Sequence, residues 1–339
     1  MSQRTEWIES GAFQVAPGVH RIPLPLPTDG LRAVNVYAIE NDEGPVLIDG
    51  GWALEESRRQ LETSLKEIGF GLADVAGFLV THVHRDHYTQ AVAVRREFGT
   101  RVSLGIGERP TLDLLTRPGV PDRSPQLEQL EACGAGPVIE RLRAVWREGG
   151  HDPAAWEMPD EWIEGGTTLP LADRELLAVS TPGHTRGHLV FADLAGGLLF
   201  AGDHVLPHIT PSIGFESAPE ASPLGSYLAS LKLVRELPDL RLLPAHGPVT
   251  DSVHARVDAL LDHHAERLDA CAEAVRAGAG TAYETARALT WTRRERRFDE
   301  LDLFNQMLAT TETRAHLEVL VAQGRLSARV EDGASVYAT

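Results

Sequence analysis

The 339-residue chain is poor in several things that would point to particular kinds of protein. It has only two cysteines, Cys133 and Cys271, far apart in sequence and in no metal-binding spacing. Both sit in Ala/Leu/Glu-rich stretches with helical character, so they read as reduced core thiols rather than a disulfide or a reactive pair. No apolar run reaches the ~18 residues that a membrane helix needs, so no membrane association is expected. The start, Met1-Ser2-Gln3-Arg4-Thr5-Glu6, lacks the basic-then-apolar layout of a secretory signal, which makes the cytoplasm the expected location. Lysine occurs only at positions 66 and 232. Positive charge is scarce overall: 32 Lys and Arg face 49 Asp and Glu, for a net of −17. A field of that sign repels phosphate backbones unless a local basic patch overrides it. Gly (31) and Pro (21) are near average and charged residues are 24%, which excludes a collagen, a coiled coil and a largely disordered chain.

What is present is 42% hydrophobic residues, enough for a sizeable core. The length suggests roughly two domains at ~150 residues each. Up to residue 105 the pattern is α/β. Val34 to Ile39 and Pro45 to Gly51 are apolar runs around an acidic Gly-containing gap, a hairpin signal. Leu54 to Ile68 has helical spacing, Gly77 to Thr81 is a short buried strand, and Thr89 to Phe98 is a second helix stopped by Gly99. Residues 107 to 165 read as a helical insertion of two or three short helices, expected to cap the site. It carries Trp146, Trp156 and Trp162, expected as core anchors. Four short strands lie between Thr167 and Ala201, then a helix near Ser222 to Leu237 and a last strand, Arg241 to Pro244. Beyond residue 250 come three helices, near Val253 to Ala277, Ala282 to Leu289 and Thr311 to Gln323, and a terminal hairpin. That layout resembles a winged helix. The expected division is a catalytic domain at 1–250 and a C-terminal unit at 251–339.

The chemistry concentrates in Thr81-His82-Val83-His84-Arg85-Asp86-His87. Histidines at i and i+2 of an extended segment point the same way and can clasp one metal ion. Asp86 and His87 lie past the strand end, where the turning chain offers a second pair of donors. A polar turn with surface histidines is the bland alternative. Three His and an Asp within six residues, after a buried strand, would be costly to bury without a ligand. Imidazole and carboxylate together suit Zn²⁺ or neighbouring first-row ions. Of 14 histidines, eight fall in four short segments that each follow a strand: His82, His84 and His87; His184 and His188; His204 and His208; His246. The other six, including His263 and His264, read as solvated.

With Asp49 in Leu47-Ile48-Asp49-Gly50-Gly51, the His82/His84/Asp86/His87 cluster, His184, Asp203 and His246 all in order, the sequence resembles the metallo-β-lactamase-fold hydrolase superfamily. The resemblance implies an αββα sandwich, two mixed sheets face to face with helices outside and metals at one edge. It implies that His82, His84 and His184 bind a first divalent ion, that Asp86, His87 and His246 bind a second, and that Asp203 bridges them. Zn²⁺ is the expected metal, with Fe²⁺ and Mn²⁺ also acceptable to such donors. Asp rather than Cys at the bridging position resembles the glyoxalase II and ribonuclease branches and departs from the zinc β-lactamases. The winged-helix-like tail and Gly202-Asp203-His204-Val205-Leu206-Pro207 look like the β-lactamase-like endoribonuclease group.

The mechanism this implies is hydrolysis by a bridging hydroxide, with Asp86 both ligand and catalytic. Asp49 is expected to orient a ligating histidine, its alternative being a turn cap. His188, His204 and His208 are candidates to line the site. A small ester, thioester or lactone is the favoured substrate, ahead of RNA cleaved by a phosphodiesterase mechanism. The reason is charge: from residue 251 on, 11 Arg meet 15 Asp and Glu, a net of −4, whereas nucleic-acid modules carry a basic face. Only Arg293-Arg294-Glu295-Arg296-Arg297 is locally basic. The tail is therefore expected to serve packing or homo-oligomer formation. A pure binding module with structural metals is disfavoured, because seven donors for two ions leave room for a catalytic water.

Overall fold

A computed structural model describes residues 6–27, 30–117, 125–145 and 152–339. The first sheet runs in chain order: β1 (Phe13–Ala16), β2 (Val19–Pro25), β3 (Ala33–Ile39), β4 (Val46–Ile48), β5 (Gly77–Val80), β6 (Arg101–Gly105) and β7 (Glu161–Ile163). β1 to β4 pair antiparallel and β4 to β7 parallel, the parallel crossovers being made by α1 (Glu55–Glu67) and α2 (Arg85–Phe98). Between β6 and β7 lie α3 (Arg109–Leu115), α4 (Pro125–Ala132) and α5 (Gly136–Val145). The second sheet is ordered β12-β11-β10-β9-β8, from β8 (Thr168–Leu171), β9 (Arg174–Ser180), β10 (Leu189–Asp193), β11 (Leu198–Gly202) and β12 (Arg241–Pro244). α6 (Pro223–Glu236) makes the parallel crossover from β11 to β12. The chain ends with α7 (Val253–Arg276), α8 (Ala282–Ala288), a ribbon of β13 (Thr290–Trp291) and β14 (Arg296–Arg297), α9 (Leu303–Ala322), and a hairpin of β15 (Ser327–Glu331) and β16 (Ala334–Ala338).

Strand alternation sorts the core into layers, because successive side chains point to opposite faces. In β3, Val34, Val36 and Ala38 join Leu61, Leu65 and Val92 under the outer helices, while Tyr37 and Ile39 face the second sheet. There they meet Phe191 and Phe200, with the Tyr37 and Phe200 rings edge to face at 5.5 Å. In β10 and β11, Val190, Ala192, Leu199 and Ala201 face outward onto Tyr227 and Leu231 of α6 and Val257 and Leu260 of α7. The central strands β3, β4, β10 and β11 are covered on both faces, which is why they are buried along their whole length rather than alternating. The result is the αββα sandwich. Each fully buried aromatic or aliphatic side chain contributes about 1.5–3 kcal/mol.

Several elements differ from expectation. β1 and β2 were not singled out in the sequence. α2 begins four residues early, at Arg85: His84 is its extended N-cap and Asp86 sits in the first turn, where a carboxylate complements the helix dipole. α9 begins at Leu303 because the Asp302 side chain caps it, accepting from Asn305 N at 2.9 Å. His264 is fully buried, not solvated, and its Nδ1 lies 3.1 Å from Nε2 of buried His316. Its helix face turns inward onto α9, so the polar ring is inside.

Among the described residues of the insertion, α4 and α5 pack onto the C-terminal helices. Leu130, Val138, Ile139 and Leu142 of α4 and α5 share one apolar cluster with α7, α8 and α9. Trp156 and Trp162 pack half-buried against the core under the first sheet, Trp156 stacked on Tyr88. Trp146 lies outside the described residues. Cys133 and Cys271 are free and buried, as expected. No helix among the described residues is long and apolar enough to cross a membrane.

Candidate metal centre

The same edge of both sheets carries all the singled-out motifs. Asp49 follows β4, His82 and His84 follow β5, His184 follows β9, Asp203 follows β11 and His246 follows β12; His188 immediately precedes antiparallel β10. Gly202 is required just before Asp203: a Cβ there would lie 2.7 Å from His188 Nε2 and from Thr81 Oγ1. Its absence lets the end of β11 close onto the end of β5.

Two groups of donor atoms result. His82, His84, His184 and Asp203 form one, and Asp86, His87 and His246 the other. In the first, His84 Nδ1 is 3.0 Å from both His82 Nε2 and His184 Nε2, and His184 Nε2 is 3.4 Å from Asp203 Oδ2. In the second, Asp86 Oδ2 is 3.7 Å from His87 Nε2 and 3.4 Å from His246 Nε2. Asp203 Oδ1 reaches this group too, at 3.7 Å from His87 Nε2 and 3.4 Å from His246 Nε2. One carboxylate thus offers one oxygen to each group. Donors at ~2.0–2.1 Å from a tetrahedral ion stand ~3.3 Å apart, the spacing seen here.

The far side of each ring fixes which nitrogen faces inward. Ser212 O accepts from His184 Nδ1 at 2.8 Å and Ala33 O accepts from His246 Nδ1 at 2.7 Å. A carbonyl can only accept, so in the neutral rings the proton sits on Nδ1 and the lone pair of Nε2 faces the cluster. Asp49 does the same for His87: its Oδ2 is 2.9 Å from His87 Nδ1, while Oδ1 accepts from Thr81 N at 2.8 Å and Thr81 Oγ1 at 2.9 Å. His188 stands one layer back. It is buried, accepts from Asp203 N at 3.2 Å on Nε2, and its Nδ1 is 2.9 Å from Thr181 Oγ1. It therefore steadies Asp203 and does not line the opening. His204 is also buried, edge on to Tyr227 at 5.2 Å, and away from solvent. His208 is exposed in the loop after β11. His84 and Asp86 are the half-buried members of the cluster and mark its open side.

Electrostatics distinguish the two groups. Burial and the neighbouring imidazoles push His82 and His84 down, His84 to about 3, so these rings are neutral donors. His87 moves the other way. Burial alone would lower it, but Asp49, Asp86 and Asp203 raise it to about 10. Burial likewise opposes the upward shift of His246, which Asp203 and Asp86 produce. Asp86 and Asp203 are held low by the surrounding histidines despite their burial. The negative well that draws a proton to His87 would equally draw a cation. His87 Nε2, His246 Nε2 and Asp203 Oδ1 are buried and make no hydrogen bond, which is costly unless something ligates them. This donor set fits divalent metal ions.

Asp49 apart, sequence reasoning missed the groups that orient the rings. Thr81 and Thr181 precede His82 and His184 in the same loops and could have been read as their supports. The carbonyls of Ala33 and Ser212 have no side-chain signal at all.

These features define a metal-dependent hydrolase of the αββα class. The chain belongs to the metallo-beta-lactamase superfamily, whose sequence profile matches residues 29–246. It is 25% identical over 336 residues to the Bacillus subtilis (strain 168) protein named "Probable metallo-hydrolase YqjP", covering 94% of this chain and 95% of that one. The crystal structure of the metallo-beta-lactamase family protein TTHA1429 from Thermus thermophilus superposes with a TM-score of 0.79 at 28% identity, covering 96% of this chain and 99% of that one. The atrochrysone carboxyl ACP thioesterase of Aspergillus fumigatus is 24% identical over 246 residues, covering 73% of this chain and 45% of that one.

Proposed function

We propose that the chain is a binuclear hydrolase of a small ester, thioester or lactone. Two divalent cations, Zn²⁺ first, would be held by His82, His84 and His184, by Asp86, His87 and His246, and jointly by Asp203. The observation that carries the reading is Asp203, with Oδ2 turned to one group and Oδ1 to the other. When bound, such a pair supplies Lewis acidity and a water acidic enough to attack near neutral pH. The protein's own part is positional. Asp49, Ala33 O and Ser212 O fix the rings, and the buried wall behind them excludes solvent. Asp86, on the open side, receives the proton of the attacking water and returns it to the leaving group. A relative named a carboxyl ACP thioesterase makes thioesters the first substrates to try.

We also take residues 251–339 as a winged-helix-like unit that braces the site rather than one that reads nucleic acid. Arg256 of α7 donates to Leu206 O at 2.5 Å and Ile209 O at 2.8 Å, gripping the loop that carries Ser212. Two reduced, buried thiols favour a cytoplasmic setting. The test is a panel of thioesters, lactones, esters and RNA offered to metal-replete protein. Metal-dependent turnover of an acyl substrate is expected. RNA cleavage with no acyl turnover would replace this reading with the phosphodiesterase.

A further inference from the structure

A second cluster of acidic groups lies behind the metal centre and takes no part in the chemistry above. Glu108, in the turn after β6, is fully buried, and Glu216, in the loop after β11, is nearly so. Glu108 Oε1 accepts from Thr185 Oγ1, and the Val83 backbone amide lies near enough to the carboxylate to favour its ionised form. Val83 lies between His82 and His84, and Thr185 follows His184. One carboxylate therefore spans the two segments, from different sheets, that bring the three histidines of the first group together. Glu216 secures the same loop from the other side. Its Oε2 accepts from Arg186 N at 2.9 Å and its Oε1 from Thr111 Oγ1 at 2.7 Å, while Gln129 Nε2 donates to its carbonyl at 2.7 Å.

The backbone is shaped for this contact. A Cβ at Gly187 would fall 2.1 Å from Glu108 N, so only glycine lets the His184 loop lie directly on the turn. Glu108 Oε2 has no hydrogen-bond partner although it is buried. Leaving a buried carboxyl oxygen unpaired is unfavourable, so packing alone does not explain a glutamate here. A Leu or Met would fill the space without that cost.

We propose that Glu108 is a positioning residue that sets the spacing of His82 and His84 against His184, and so the affinity of the first metal site, with Glu216 holding the loop in register. The proposal rests on the metal-centre reading. Glu108 touches neither ion nor substrate; it acts through Val83 and Thr185. The second group, Asp86, His87 and His246, is positioned by Asp49 and Ala33 O instead and should be indifferent to it.

The test is Co²⁺ titration of the full-length apoprotein, followed by visible absorption and chelator competition to resolve the binding steps. For Glu108→Leu, one step should weaken by ~10- to 100-fold, the usual effect of losing an outer support, and the other should stay within ~3-fold. Glu108→Gln keeps the accepting oxygen and should recover most of the loss. Thr185→Val removes the donor without altering the carboxyl. Glu108→Leu and Thr185→Val should be non-additive in the double variant, because they break one contact. Wild-type affinities in a folded Glu108→Leu, an equal loss at both steps, or full additivity with Thr185→Val would each overturn the proposal. Should Glu108→Leu not fold, Thr185→Val alone decides it: unchanged affinity at both steps refutes it. A wild-type protein that binds no Co²⁺ would instead overturn the metal-centre reading, and this inference with it.

Discussion

Asp49→Asn isolates the step from a carboxylate to a metal through a histidine. Asp49 has a positive φ of 63°, a conformation that Asn tolerates and most residues do not, so the substitution leaves the backbone unstrained. Asn Oδ1 can still accept from Thr81 N and Oγ1. The change falls on the other atom: an amide NH₂ replaces Oδ2 at 2.9 Å from His87 Nδ1. Two donors would then face each other. His87 relieves this by moving its proton to Nε2, the nitrogen turned toward Asp86 and Asp203, where a proton blocks ligation. Loss of such a carboxylate partner weakens metal binding by ~10- to 100-fold, on the order of 1.4–2.7 kcal/mol. Chelator competition on wild type and Asp49→Asn should show that loss in the affinity of the second site, with the first largely unchanged. Equal affinities for both proteins at both steps would refute the reasoning and leave Asp49 as a turn cap.

Other outcomes follow from the same geometry. Asp86→Asn, assayed with metal in excess, should keep substantial metal yet lose roughly 10²-fold or more in kcat, because an amide cannot take the proton; near wild-type kcat would make Asp86 only a ligand. His316, lowered to about 4 by burial, folds neutral, so its contribution is complete above the unfolded value near 6.5 and is lost as pH falls from there toward about 4. At about 1.4 kcal/mol per unit this is on the order of 3 kcal/mol, and urea unfolding at pH 7 and pH 5 should show a smaller acid loss for His316→Gln than for wild type; parallel losses would sink it. The basic run at 293–297 should not bind nucleic acid: micromolar RNA or DNA binding at physiological salt, abolished by changing Arg293, Arg294, Arg296 and Arg297 to Ser, would overturn the bracing role of the tail.

Much of the site was legible because its donors follow strands in short, unusual clusters. His82 to His87, His184, Asp203 and His246 are polar residues placed where apolar runs stop, and the structure brings them within one cluster. What was not legible depends on partners far away in sequence. Glu108 looks like an ordinary surface acid until Thr185, 77 residues on, is brought against it. Ala33 and Ser212 contribute carbonyls, which every residue has. His264 sits on a helix among charged residues, and only the docking of α9 decides that its face turns inward. His188 shared its loop with His184, but its place behind Asp203 depends on the register of β9 and β10. The layers were clearer than their ends. α9 began early because the Asp302 cap, not hydrophobic period, sets its first turn, while α2 starts at Arg85 with Asp86 in its first turn and no side-chain cap.

The most direct test of the account is a metal count. Protein purified without chelator, and again after reconstitution with Zn²⁺ and removal of excess, should carry about two transition-metal ions per chain by elemental analysis, one for each donor group. Asp203→Ala, which removes the only carboxylate shared by both groups among the described residues, should carry fewer. Wild-type protein that holds no transition metal under either condition, or an Asp203→Ala protein that retains both ions, would contradict the central claim.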